Sequence, residues 1–210
     1  CQANPVSGGL INVIGTLNVF EAARDAREAS GRDIRISYAS SSAVWGPEDK
    51  YEDRPLNEPA TPPPSPPAPP FKTPTQPPPP TPPGLTAAPT LALQHAARRE
   101  PYQLPVSGPM DLQYVEDVAR AFVSCLFDGP PGAHVCNLAG DRVDMSEFIA
   151  ILEQIRPEMT GKLSARGPRV PVASRMDDSL LHQLLPGLER TPLELGIRQT
   201  LRVYERVYTR

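Results

Sequence analysis

This chain of 210 residues has little that would hold phosphate, metal or lipid. It contains no Gly-x-Gly-x-x-Gly and no Gly-x-x-x-x-Gly-Lys-Ser/Thr; Gly8, Gly9 and Gly15 lack the spacing and follow no strand-like run. Backbone cradles for a pyrophosphate at a helix start are therefore missing from these residues. The three cysteines, Cys1, Cys125 and Cys136, are odd in number and out of metal-ligand spacing, which argues against a metal site or a disulfide framework. Cys125 stands in an apolar helical run and Cys136 in a strand-like one. Both are expected to be small buried hydrophobes in the reducing cytoplasm. There is no Lys/Arg block and the net charge is −3, which argues against nucleic acid or an anionic membrane as the main partner. No stretch is expected to approach the ~18 apolar residues of a membrane span, and no basic-then-apolar leader opens the sequence. The chain begins at Cys1 rather than Met, which reads as a truncation.

Proline is what the chain has in excess. Of its 29 prolines, 15 fall among the 25 residues 59–83. Proline lacks a backbone donor and forces extended geometry on itself and its predecessor. Residues 59–83 are therefore expected to be polyproline II or disordered, between an ordered segment 1–58 and an ordered segment 84–210.

Within the first segment, Leu10, Val13, Ile14, Leu17 and Phe20 recur at helical spacing, with Glu21, Arg24, Asp25 and Arg27 largely opposite. This predicts a helix over 10–28 that stops near Gly31. A strand is expected over 34–39, ending in Tyr38-Ala39-Ser40-Ser41-Ser42 and closed by Gly46-Pro47. A strand that ends in small and hydroxyl residues is where open α/β sheets place ligands. The hydroxyls equally suit backbone satisfaction at a strand end. Later in the chain a helix is expected over 86–99, strands at 102–104, 112–115 and 132–138, and a helix opening at Glu116-Asp117 with Val118, Ala119, Phe122, Val123 and Leu126 inward. Asp144 is the expected cap of a helix that stops at Pro157, with Glu147 as reciprocal partner. Thr191-Pro192 is the expected start of a last helix with Ile197, Leu201, Tyr204 and Tyr208 on one face. His95, His134 and His182 lie far apart and read as structural or surface residues.

Asn12-Val13-Ile14-Gly15-Thr16, then Ser40-Ser41-Ser42-Ala43-Val44-Trp45-Gly46, resembles the NAD-dependent epimerase/dehydratase family, which belongs to the extended short-chain dehydrogenases. There the pattern is Asn-x-x-Gly-Thr in a helix, then a Ser-rich strand end running into Val-Tyr-Gly; Trp45 stands at the Tyr position. Asp111-Leu112-Gln113-Tyr114-Val115-Glu116-Asp117-Val118-Ala119 is similar to the family's Tyr-Val-Asp-Asp-Val segment, and residues 192–197 to its closing helix. The resemblance implies an α/β fold: a partial Rossmann-like parallel sheet with a small C-terminal α/β substrate lobe. It also implies NAD as cofactor, a nucleotide-sugar substrate and room for a homodimer.

The family works with Asn, Ser, Tyr and Lys. By resemblance Asn12, Ser41 and Lys72 take three of these roles, Ala39, Ser40 and Lys72 border the cofactor, and Ser41 and Ser42 meet the substrate. The Tyr position, four before Lys72, holds Ala68, and prolines occupy the helix that should carry the pair. The first βαβ unit with its glycine-rich loop would lie before Cys1. The chain thus reads as a fragment that is inactive as it stands. The alternative is a non-catalytic interaction protein, since Pro67-Ala68-Pro69-Pro70-Phe71-Lys72 fits a Pro-x-x-Pro-x-basic ligand of an SH3-type groove.

Overall fold

The computed structural model describes residues 4–41, 45–46, 51, 55–56 and 85–208. The proline-rich segment, Ser42 and Lys72 lie outside the described residues.

A continuous helix opens the chain. Asn4 caps it by accepting the Ser7 N–H at 3.0 Å, and Pro5 fills the first turn. Helix α1 (Pro5–Gly9) passes through a π turn (Leu10–Ile14) into α2 (Gly15–Ser30). Gly31 then adopts the left-handed conformation at φ 69° and returns its N–H to Arg27 O, a glycine C-cap. The expected helix and its stop are both present, but the expected apolar stripe buries nothing. Leu10 and Leu17 are 58% and 51% exposed, and α2 has no buried residue. Phe20 meets Tyr38 edge-on, ring centroids 5.3 Å apart. Moreover, Val6–Ser30 is 25 residues long and apolar enough, by length and composition alone, to cross a membrane. That corrects the expectation that no stretch approaches a membrane span. Ser7, Gly8, Gly9, Asn12, Gly15 and Thr16 interrupt the apolar sequence without making the helix polar.

Residues 33–41 belong to no helix or ladder among the described residues, so the strand expected over 34–39 is corrected to an irregular, unpaired segment. β-branched residues favour extension, but a ladder also needs a neighbouring backbone. Arg35 Nη1 ties the segment down by donating to Leu126 O and Gly129 O at 3.2 and 2.7 Å.

Residues 85–208 form an α/β unit in which helices cover short strands. Helix α3 (Ala88–Ala97) leads to β1 (Tyr102–Leu104), β2 (Pro109–Leu112), α4 (Val115–Phe127), β3 (Asp141–Asp144), α5 (Met145–Ile155), β4 (Leu163–Ala165), α6 (Ser179–Leu184) and α7 (Leu193–Tyr208). β1 pairs in parallel with β4 in the register Tyr102↔Leu163, and β2 pairs antiparallel with β3 in the register Met110↔Val143. The α/β class is as expected. The second and third expected strands are displaced. Residues 109–112 replace 112–115, and 141–144 carry the ladder while 133–140 belong to no helix or ladder among the described residues. Gly140 sits at this corner because a Cβ there would meet Leu112 O at 2.1 Å.

The core follows helical spacing. Met145, Phe148, Ile149, Leu152 and Ile155 of α5 pack with Ile197 and Leu201 of α7, Ala92 and Ala96 of α3, and Leu104, Val143 and Leu163 of the strands. Helix α4 contributes less: only Asp117 and Ala121 of its residues are buried, and Val123 is exposed. Cys125 is exposed and Cys136 half-buried, which corrects the expectation of buried thiols; Cys1 lies outside the described residues.

Asp144 caps α5 by accepting the Ser146 N–H at 2.9 Å and the Ser146 hydroxyl at 2.7 Å. The hydroxyl first, then the N–H, hold its carboxyl below the usual range. Its stabilisation is therefore present above the unfolded carboxylate value of ~3.9 and is lost as pH falls through the lower native one. Asp144→Ala is expected to cost about 1 kcal/mol near neutral pH. In urea melts, the gap between the two proteins should close at strongly acidic pH.

Candidate active-site strand end

The residues that the sequence singles out lie on two elements. Asn12 is at the centre of the π turn, where the Gly15 N–H reaches back five residues to Leu10 O. Its side chain is turned to its own helix, Nδ2 donating to Gly8 O at 3.0 Å, while the Thr16 hydroxyl donates to Asn12 O at 2.7 Å. Wide turns of this kind free backbone groups and recur at functional positions. Ala39, Ser40 and Ser41 are exposed at the end of the irregular segment. Of the three lysines, Lys50 and Lys72 lie outside the described residues, and Lys162 precedes β4.

Beyond the serines the chain is anchored. Trp45, Leu56 and Ala173 form a second buried cluster, with Tyr51 and Met176 against it. The Tyr51 hydroxyl donates to Trp45 O at 2.6 Å, and the two rings meet edge-on. Leu56 joins the backbone beside Met176: its N–H donates to Arg175 O at 2.9 Å, and the Asp177 N–H donates to Leu56 O at 2.7 Å. Asn137 Nδ2 bridges Leu56 O and Asp177 O at 2.9 and 3.2 Å, and Asp178 accepts the Ala139 N–H at 3.3 Å. Arg142 Nε donates to Ser174 Oγ at 3.1 Å. Trp45 is four residues past Ser41, so the hydroxyls stand within ~14 Å of this anchor. Chemically, the strand end offers exposed hydroxyls that can exchange hydrogen bonds with a polyol. Trp45 thus acts as a packing residue. Its burial and the role of Asn137 were missed by local pattern, because each depends on contacts made far along the chain.

The Asp111–Ala119 segment is held from both ends. Asp111 accepts the Gly140 N–H at 2.8 Å and Gln113 Nε2 at 3.1 Å. Burial pushes its carboxyl above the ordinary value, against these two bonds. Asp117 is 8% exposed and accepts both the Thr191 N–H and the Thr191 hydroxyl at 2.7 Å, together with Arg120 Nη2. The hydroxyl expected to cap α7 thus donates to Asp117. The sequence did carry a signal for this: Asp117 lies four residues before the buried Ala121, on the inward face of α4.

No family model matches the sequence, and no curated protein matches it either. The fold does show likeness to solved structures. A putative epimerase from Burkholderia cenocepacia J2315 matches over 57% of this chain and 41% of its own, with 20% identity and a TM-score of 0.45. UDP-glucose 4-epimerase from Thermotoga maritima, solved with UDP-glucose, matches over 58% and 40%, with 20% identity and a TM-score of 0.49. dTDP-glucose 4,6-dehydratase from Bacillus anthracis, solved in complex with NAD, matches over 57% and 39%, with 16% identity and a TM-score of 0.49. Each likeness spans less than half of the other chain and stops short of a shared whole fold.

Asp117→Ala removes a buried acceptor from three donors at once. Hydrogen bonds to charged groups contribute about 1.5–3 kcal/mol each and are not additive. A loss of roughly 2–4 kcal/mol is expected in urea unfolding followed by tryptophan and far-ultraviolet signals. A loss below about 1 kcal/mol would show that the staple between α4 and α7 is dispensable.

Proposed function

We propose that this chain carries part of the catalytic and substrate-facing portion of an NAD-dependent nucleotide-sugar epimerase or dehydratase, and that it does not turn over substrate as it stands. The π turn centred on Asn12 is the observation that carries this reading. Such turns recur at functional positions, and this one is centred on the residue that the sequence resemblance assigns to the active site, which supports the reading. A second support is the Asp117–Thr191 staple. It joins two segments that each resemble the family and lie 74 residues apart in sequence.

The division of labour follows from the groups present. Ser41, with Ser40 and Ser42 beside it, would orient a sugar hydroxyl, and Asn12 would hold its helix in the widened geometry. Lys72 keeps the family spacing, but Ala68 at the Tyr position cannot move a proton. Loss of a general acid–base lowers rates by roughly 10²–10⁴. The residues do not fit a whole NAD. Ala39 and Ser40 are small enough to border a nicotinamide ribose, but the sequence has no glycine cradle for the pyrophosphate.

UDP-glucose and dTDP-glucose, titrated by ligand-observed NMR, are expected to show saturable binding that weakens in Ser41→Ala. NAD should neither raise the melting temperature nor support turnover. Absence of any nucleotide-sugar binding would remove the substrate reading, and turnover with added NAD would remove the claim of inactivity.

The fifteen prolines of 59–83 support a second reading, an SH3-type ligand at Pro67–Lys72. In a pull-down with immobilised SH3 domains, retention that survives Pro70→Ala and Lys72→Ala would eliminate it.

A further inference from the structure

Helix α7 places Arg198 and Arg202 one turn apart, on the same face. Where α5 ends, Arg156 meets that face beside Ile155. Ile155, Arg156, Arg198, Leu201 and Arg202 enclose a surface depression of about 110 Å³. Leu201 and Ile155 are buried, and the three arginines complete the lining.

Two of the three arginines are held by carboxylates. Arg198 donates through Nε and Nη2 to Glu194 Oε1 at 3.0 and 2.6 Å, and Arg156 donates through Nη2 to Glu205. Arg202 has no ion pair or hydrogen bond with a described residue. Three arginines against two glutamates leave one positive charge around the depression. A guanidinium has five N–H donors in a fixed fork. The glutamates take two from Arg198 and one from Arg156, so most donors remain available. The carboxylates fix the directions of two forks, which lowers the ordering cost of adding a ligand.

We propose that this depression binds a phosphoryl dianion, whether free orthophosphate or the phosphate of a small monoester. Three planar forks around one small space match a compact oxyanion with an acceptor on each side. A planar carboxylate would meet two forks and leave the third unmatched. The anion would also relieve the mutual repulsion of the three cations. The C-terminal end of α5, with its partial negative charge, and the two glutamates oppose binding, which sets the affinity in the range of an exposed and salt-sensitive site. This site is independent of the strand end at Ser40–Ser41 and of the function proposed for it.

Orthophosphate and glycerol 3-phosphate, each titrated calorimetrically into the whole chain at constant ionic strength in chloride, test the proposal. Saturable binding of at least one is expected. Tighter orthophosphate would identify the free anion as the ligand, and tighter glycerol 3-phosphate a monoester. Arg202→Gln should weaken the binding by roughly tenfold or more, with the far-ultraviolet spectrum unchanged. Arg206→Gln, one turn further along α7, should stay within about twofold. Heats no greater than those of added chloride, or equal losses in the two variants, would overturn the site.

Discussion

Burial decides which parts of this chain are a fold and which are only secondary structure. A helix of ordinary length draws little stability from its own hydrogen bonds and most from the face it packs. Helix α5 has such a face. Its five buried apolar side chains contribute roughly 1.5–3 kcal/mol each when withdrawn from water. They meet α7, α3 and two strand pairs, so each element fixes its neighbours. The continuous helix from Pro5 to Ser30 has as many large apolar residues in its first turns and none of this support. Its capped ends and regular backbone show that local chemistry suffices to shape a helix. Its exposed leucines, isoleucines and valines show that local chemistry does not supply a partner.

The candidate site inherits this contrast. The hydroxyls of Ser40 and Ser41 belong to the unsupported half, on a segment without a ladder among the described residues. The residues just beyond them belong to the supported half through Trp45, Leu56 and the 173–177 backbone. Polar groups carry much of that attachment. Asn137 satisfies two carbonyls at once, and Asp178 receives a backbone N–H from the same strand end. Each such bond contributes about 0.5–1.5 kcal/mol. These bonds therefore position the chain more sharply than the small apolar cluster could alone.

Elements governed by neighbours in sequence were legible. Gly31 as a stop, Asp144 as a cap, Pro157 as an end and the 197–201–204 face of α7 all depend on residues within one or two turns. Elements governed by distant neighbours were not. Residues 34–39 and 132–138 have the composition of strands, but a strand needs a backbone alongside, and composition does not name one. The ladder instead formed at 141–144, whose Asp-Arg-Val-Asp sequence carries a weak strand signal and whose register is set by Met110 against Val143. Within the site, the serine-rich end and Asn12 could be picked out by resemblance. The π turn at Asn12, the burial of Trp45 and the double acceptance at Asp117 required coordinates. Cys125 shows the same limit in reverse. Its apolar neighbours predict burial, yet α4 turns that flank outward because the inward position is taken by Asp117 and Ala121.

Fold and catalysis differ in how many residues they can lose. The unit of 85–208 rests on many apolar contacts of similar size, and no single one is indispensable to its topology. Proton transfer rests on one group at one place, and no number of well-packed neighbours replaces it. A chain can therefore keep the helix with Asn12, the serine-bearing segment and the α4–α7 staple while Ala68 stands where the sequence resemblance expects a Tyr. Under the proposed function the hydroxyls would still recognise a polyol by hydrogen bonding, because recognition degrades with each lost contact whereas proton transfer stops with one. Binding without turnover is the behaviour that the proposed function expects of such a combination.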